Sequence, residues 1–220
     1  MVIGLRKEYR TVLKFATSET EEKKSRFIAS VKPVSTEQEA LDFIQSLKAK
    51  YWDATHNVYA YYIGGENIIQ RFSDDGEPSG TAGLPVLEVI KRMELQDLVV
   101  VVTRYFGGTL LGAAGLIRAY GKSASMGIEA ASIARRILCK EMIVTVEYTL
   151  FGKMQSQIIS KGFTIKDVIY GQDVEIIVFV PVDEVDGFCR MIVDDSAGRA
   201  LVEEGENTYI TLDEQGKLVY

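Results

Sequence analysis

The sequence is poor in the residues that most often announce chemistry. Its 220 residues include one histidine, His56, and two widely separated cysteines, Cys139 and Cys189, so no Cys/His zinc spacing can be built. One disulfide remains open, but in a reducing compartment both cysteines read as packing residues. Unbroken aliphatic runs reach only the length of Leu98–Val102, far short of the roughly 18 residues a membrane span requires. The opening Met-Val-Ile-Gly-Leu-Arg-Lys-Glu-Tyr-Arg lacks the apolar segment and small-residue cleavage site of a secretory signal. The expected location is the cytoplasm, with no membrane partner.

Several catalytic signatures are missing as well. No G-x-S-x-G elbow is present, and no G-x-G-x-x-G follows a strand. Gly121-Lys122-Ser123 resembles the end of a phosphate loop, but Gly115 precedes Gly121 by one residue too many, and the intervening Leu-Ile-Arg-Ala-Tyr has helical character where that motif needs a loop. No catalytic residue, cofactor or metal is assigned.

What is present is an ordinary globular composition, 47% hydrophobic and 25% charged, enough for a real core in one large domain or two small ones. The net charge of -6 comes from 25 basic and 31 acidic side chains. It is unevenly spread: residues 1–135 carry 17 basic and 16 acidic groups, residues 136–220 carry 8 and 15. The bulk acidity therefore says little about what the first part binds. Glycine is uneven too, with eight of 19 lying between Gly76 and Gly121.

Periodicity predicts strands around Arg10–Ala16 and Arg26–Val34, separated by the polar stretch Ser18–Ser25. A helix follows from Thr36, with Glu39 completing a capping box and Ala40, Leu41, Ile44 and Leu47 on one face. Asn57–Ile63 and Ile68–Phe72 read as a hairpin across Gly64-Gly65-Glu66-Asn67. Loop chemistry fills Ser73–Gly83, after which Leu84, Leu87 and Ile90 mark a helical face, with Pro85 tolerated in its first turn. Leu98–Thr103 reads as a strand buried on both faces. A second glycine-rich turn, Gly107–Gly115, leads into a helix carrying Leu116, Ile117 and Tyr120. From about Arg136 the order becomes strand (Met142–Leu150), helix (Lys153–Ser160), strands (Phe163–Ile169 and Val174–Val180), helix (Glu184–Ile192) and strand (Tyr209–Leu212). That βαββαβ order is ferredoxin-like. The expected fold class is α+β with two domains, residues 1–135 and 136–220.

Candidate site residues gather in the glycine-rich segment. Asp74, Asp75 and Glu77 are a carboxylate cluster that suits either a tight turn or an acid/base or cation site, although the loop alone is too short for a full calcium shell. His56 enters a strand and suits either a structural hydrogen bond or a base. Arg104-Tyr105-Phe106-Gly107-Gly108 closes a buried strand, where charge and stacking can serve a phosphate or a base. Ser79, Thr81 and Arg118 complete the candidate ligand or partner surface. Asp74 and Arg104 come together if the two loops meet at one sheet edge.

Several stretches together resemble the YigZ/IMPACT family: Ser25-Arg-Phe-Ile-Ala29, Asp53-Ala-Thr-His-Asn-Val-Tyr-Ala60, Ser73-Asp-Asp-Gly-Glu-Pro-Ser-Gly-Thr-Ala-Gly83 and Val101-Val-Thr-Arg-Tyr-Phe-Gly-Gly108, followed by Leu111-Gly112 and Gly115-Leu-Ile-Arg-Ala-Tyr120. Ala114 stands where the family pattern has glycine. The resemblance implies a first domain of the ribosomal protein S5 domain 2-like type (1–135) and a second, ferredoxin-like domain resembling domain five of elongation factor G (136–220). Eukaryotic relatives in the family are regulators of translation that bind a ribosome-associated activator of a stress kinase.

Three functions follow as expectations. In the leading one the protein is a non-catalytic, translation-linked regulator contacting RNA or the ribosome. Its route is phosphate contact by Arg6, Lys7, Arg10, Lys14, Lys23, Lys24 and Arg26, with stacking on Tyr51, Trp52, Tyr59 and Tyr61. The alternatives are an enzyme or small-ligand-binding protein using the loops at 73–83 and 104–115, and a module that docks onto a translation-regulatory protein.

Overall fold

The computed structural model describes residues 6–65 and 67–219; the opening Met1–Leu5 and the turn residue Glu66 lie outside the described residues. The chain forms two compact units, mainly Tyr9–Arg135 and Arg136–Leu212, the second also taking in Arg6–Glu8. Among the described residues no helix is long and apolar enough to cross a membrane.

The first unit contains most of β1 (Glu8–Val12), then β2 (Ala16–Glu22), β3 (Ser25–Pro33), α1 (Glu37–Lys50), β4 (His56–Ile63), β5 (Ile69–Ser73), α2 (Gly83–Arg92), β6 (Leu98–Tyr105) and α3 (Ala113–Ala130). Its five-stranded sheet has the order β2-β3-β6-β4-β5, and every pairing is antiparallel. The central β6 is buried on both faces, as its Val-rich run predicts. Val100 and Val102 join a core with residues of α2 and α3, while Val99 and Val101 join the core that includes Ala40, Ile44 and Leu47 of α1. This alternation follows from the period of two along a strand.

The α1 start matches its expected cap. Thr36 Oγ1 accepts from Glu39 N at 3.2 Å, while Glu39 Oε2 accepts from Ser35 N at 2.7 Å. Two expectations need correction. The polar Ser18–Ser25 stretch is not a connector, because Ser18–Glu22 belongs to β2 and only Lys23 and Lys24, both at positive φ, make the turn. Leu84 stands 38% exposed beside the buried Val86, Leu87, Val89 and Ile90, so the buried face of α2 is rotated from the one expected.

The second unit contains β7 (Ile133–Val146), α4 (Tyr148–Ser160), β8 (Thr164–Tyr170), β9 (Val174–Pro181), α5 (Val185–Ser196), β10 (Leu201–Asp213) and β11 (Leu218–Val219). The order β10-β7-β9-β8 is the ferredoxin-like arrangement that the βαββαβ pattern predicts. Met142, Val144, Val146, Ile176 and Val178 pack with Leu150, Met154 and Ile158 of α4 and Phe188 and Ile192 of α5. Leu150 was expected at a strand end but lies in α4, since β7 stops at Val146. The fold class is α+β with two domains, as expected.

Candidate functional site

The loops at 73–83 and 104–115 meet at one end of the first unit's sheet. His56 opens β4 directly opposite Arg104 of β6, and the loop after β5 folds back over both. Asp74 holds that loop closed: Oδ1 accepts from Ala82 N at 3.1 Å and Gly83 N at 2.8 Å, and Oδ2 accepts from Gly80 N at 2.9 Å. It thereby serves the otherwise uncapped start of α2. Thr81 Oγ1 donates to the Pro78 carbonyl at 2.6 Å. A Cβ on Gly83 would stand 2.6 Å from the Ser73 carbonyl oxygen, so this return requires glycine.

The two neighbouring carboxylates have different tasks. Asp75 accepts from Lys48 Nζ at 2.6 Å and from Asn57 N at 2.7 Å. Glu77 turns inward, 8% exposed, to meet Arg104, 5% exposed. Arg104 Nη1 donates to Glu77 Oε1 at 2.5 Å, and the Tyr120 hydroxyl from α3 donates to the same oxygen at 2.7 Å. Burial, with this hydrogen bond, pushes the Tyr120 phenol far above its ordinary range. Arg104 Nη2 donates to Ser25 Oγ at 3.2 Å, and the guanidinium lies between the rings of Phe27 and Phe106. It is therefore held at both Nη atoms and against two rings.

His56 Nδ1 stands 2.8 Å from the Asp75 carbonyl, and Nε2 stands 3.8 Å from Glu77 Oε1. Because the carbonyl only accepts, Nδ1 carries a proton, which makes Nε2 the acceptor atom in the neutral form of the ring. Beside these groups is a cavity of about 410 Å³, whose apolar wall comes from Pro78, Phe106, Leu110, Leu111 and Leu116.

The structure thus joins His56, Glu77 and Arg104 at one cavity, with Glu77 where sequence placed Asp74. Asp74 and Asp75 are committed to the loop and its neighbours. Ser79 is exposed, and Thr81 is buried within the loop. Tyr105 points elsewhere, its hydroxyl donating to Asp53 Oδ1 at 2.9 Å. Gly107 donates its N–H to Ser25 Oγ at 3.2 Å, and Gly108 takes a φ of 80°. Sequence reasoning missed the polar roles of Tyr120 and Ser25; the signal for Tyr120 is that a buried phenol needs a hydrogen-bond partner. Among the described residues no group of three His, Cys, Asp or Glu is placed to hold a metal ion.

Arg118 lies apart from this cavity, on a second groove of about 300 Å³ walled by Glu22, Lys23, Leu111, Gly115, Ala119 and Lys122. Arg118 and Lys122, one helical turn apart on α3, are exposed with Lys23 and Lys24. None of these four cations has an ion pair or hydrogen bond among the described residues. The expected basic and aromatic set is partly spent: Arg26 forms a bidentate pair with Glu19, Arg10 donates to the Met93 carbonyl, and Tyr61 is buried on Glu37. Lys7 pairs with Asp183 within the second unit. Trp52 remains 82% exposed.

Comparison with known proteins gives a consistent result across both units. The Impact N-terminal domain matches residues 23–128, and a domain of unknown function, DUF1949, matches residues 144–199. Over 202 residues the chain is 45% identical to the IMPACT family member YvyE of Bacillus subtilis, covering 92% of this chain and 93% of the relative. The IMPACT family member YigZ of Escherichia coli is 34% identical over 150 residues, covering 64% of this chain and 74% of that one. A crystal structure described as that of a hypothetical protein superposes with a TM-score of 0.58 at 29% identity, covering 92% of this chain and 99% of its own.

Proposed function

The chain belongs to the IMPACT family, and on that premise we propose that it is a non-catalytic, translation-linked binding protein whose first unit contacts RNA. One observation carries this reading: Lys23, Arg118 and Lys122, with no partner among the described residues, place three cations against the single carboxylate of Glu22 on one groove, and Lys24 adds a fourth cation in the adjoining turn. Cations already neutralised by carboxylates have little left to offer a phosphate, whereas these keep their full charge for one. Neutralising phosphates releases counterions and produces salt-dependent affinity. The near-neutral balance of residues 1–135 permits such a patch within an acidic chain. The family resemblance to regulators of translation points the same way.

The test is binding of a fluorescent single-stranded oligoribonucleotide, followed by anisotropy over a salt series. Affinity should fall as salt rises, and the slope of log affinity against log salt should shrink by about 0.7 for each phosphate contact removed. Arg118→Glu with Lys122→Glu should remove two contacts. If the wild-type protein fails to bind at low salt, or the double variant binds with an unchanged slope, the reading is wrong. A protein partner captured from lysate and retained after nuclease treatment would favour docking onto a regulator instead.

A further inference from the structure

The cavity beside Arg104 and the cationic groove are neighbours. Leu111 lines both, with Leu116 facing the first and Gly115, Arg118 and Ala119 facing the second. They are joined again where Gly107 follows the cavity residue Phe106 and packs directly onto the backbone of Lys24 in the cationic turn. A nucleic-acid backbone lying on the cations therefore passes the cavity mouth.

The cavity's two ends differ in chemistry. Its outer wall carries Phe106, 46% exposed, and Leu110, 83% exposed. The Phe106 ring is held against the Arg104 guanidinium at 5.6 Å, which stiffens it as a stacking platform. The inner end offers acceptors: His56 Nε2, and the Glu77 oxygen that makes no hydrogen bond among the described residues. A cavity with an apolar wall beside acceptors suits an aromatic heterocycle with N–H donors on its edge, and about 410 Å³ lies within the range of small-molecule pockets.

We propose that this cavity receives an unpaired nucleobase of the RNA strand held by the cationic groove, stacked on Phe106, with its N–H edge facing His56 and Glu77. The proposal rests on the RNA-binding reading above and extends it from charge contact to base contact. Stacking on an exposed aromatic is the way proteins engage single-stranded RNA, whose bases are free to leave the strand. Duplex RNA keeps its bases paired and should not enter.

The experiment compares a fluorescent single-stranded oligoribonucleotide with an abasic version that keeps every ribose and phosphate. Wild-type protein should bind the abasic strand about ten-fold more weakly, the lower part of the range for losing one stacked base. Phe106→Ala should bring the two affinities together while leaving the salt slope unchanged. Ala113→Leu, which fills the cavity mouth without altering charge, should do the same by a separate route. Equal wild-type affinity for both strands overturns the base pocket and leaves phosphate binding standing. Failure to bind either strand at low salt overturns the RNA-binding reading and this extension of it.

Discussion

Replacing Glu77 by Gln isolates the electrostatic part of the Arg104 cluster. The side chains of Arg104 and Glu77 are only 6% and 4% exposed, so removing one charge leaves the other in a site with almost no water. Two unit charges about 4 Å apart interact by about 4 kcal/mol at an effective dielectric of about 20. Removing one partner of such a buried pair costs about 3–5 kcal/mol. Glutamine keeps the length and an acceptor oxygen, so the Tyr120 hydrogen bond and the packing survive, and the expected cost is about 3 kcal/mol. For a unit of this size that is a fall in melting temperature of about 10 °C, to be measured by calorimetry, with the second unit's transition unmoved. Adding Arg104→Met to Glu77→Gln should cost less than the sum of the single variants by about 2 kcal/mol, because the orphaned charge disappears. A single-variant cost below about 1 kcal/mol, or strict additivity, would refute the claim that this ion pair organises the site.

Two further outcomes follow from particular positions. A methyl group at Gly107 would overlap the backbone of Lys24, while Gly108, at φ 80°, has open space around its Cα. Gly107→Ala should lose several kcal/mol of stability, whereas Gly108→Ala should lose about 1–2 kcal/mol, the cost of its backbone conformation alone; equal losses in chemical denaturation would show that the loop does not pack as described. On the alkaline side, burial and carboxylate hydrogen bonds hold Tyr120 and Tyr61 above the usual phenol range. Both have raised folded-state values, so their contribution to stability is complete below about pH 10 and is lost as the pH climbs beyond it towards their folded-state values. Ultraviolet difference titration should therefore show two phenols that ionise only with unfolding; full ionisation of every tyrosine in the native state would contradict their burial.

The strongly patterned elements were legible in the sequence, and the site was legible only in outline. Thr36 and Glu39 announced the start of α1, and the Leu98–Thr103 run announced the central strand, because capping and burial depend on residues close in sequence. The convergence of the two glycine-rich loops was foreseen as a condition, but the choice of carboxylate was not. Asp74, Asp75 and Glu77 differ little as a string. What separates them is the loop's path, with Asp75 at a positive φ of 45°, Asp74 taken up by three loop N–H groups and Glu77 turned in to Arg104. The partnership of Ser25 and Tyr120 with this site spans separations of 79 and 43 residues, beyond the reach of local pattern. In the second unit, β10 extends to Leu201, well before the Tyr209 expected, because its early residues are exposed and acidic and so lack an apolar alternation.

The strand that read as a connector has a further role because of its position. β2 lies at the margin of the first unit's sheet, with β3 on one side and, among the described residues, no strand on the other. An unpaired edge is a template on which a second chain can polymerise. The composition of β2, Ala-Thr-Ser-Glu-Thr-Glu-Glu, brings three carboxylates to that edge, and stacked copies would have to bury or repel them. The polarity that hid the strand from a hydrophobic pattern is what protects the protein from aggregation along it.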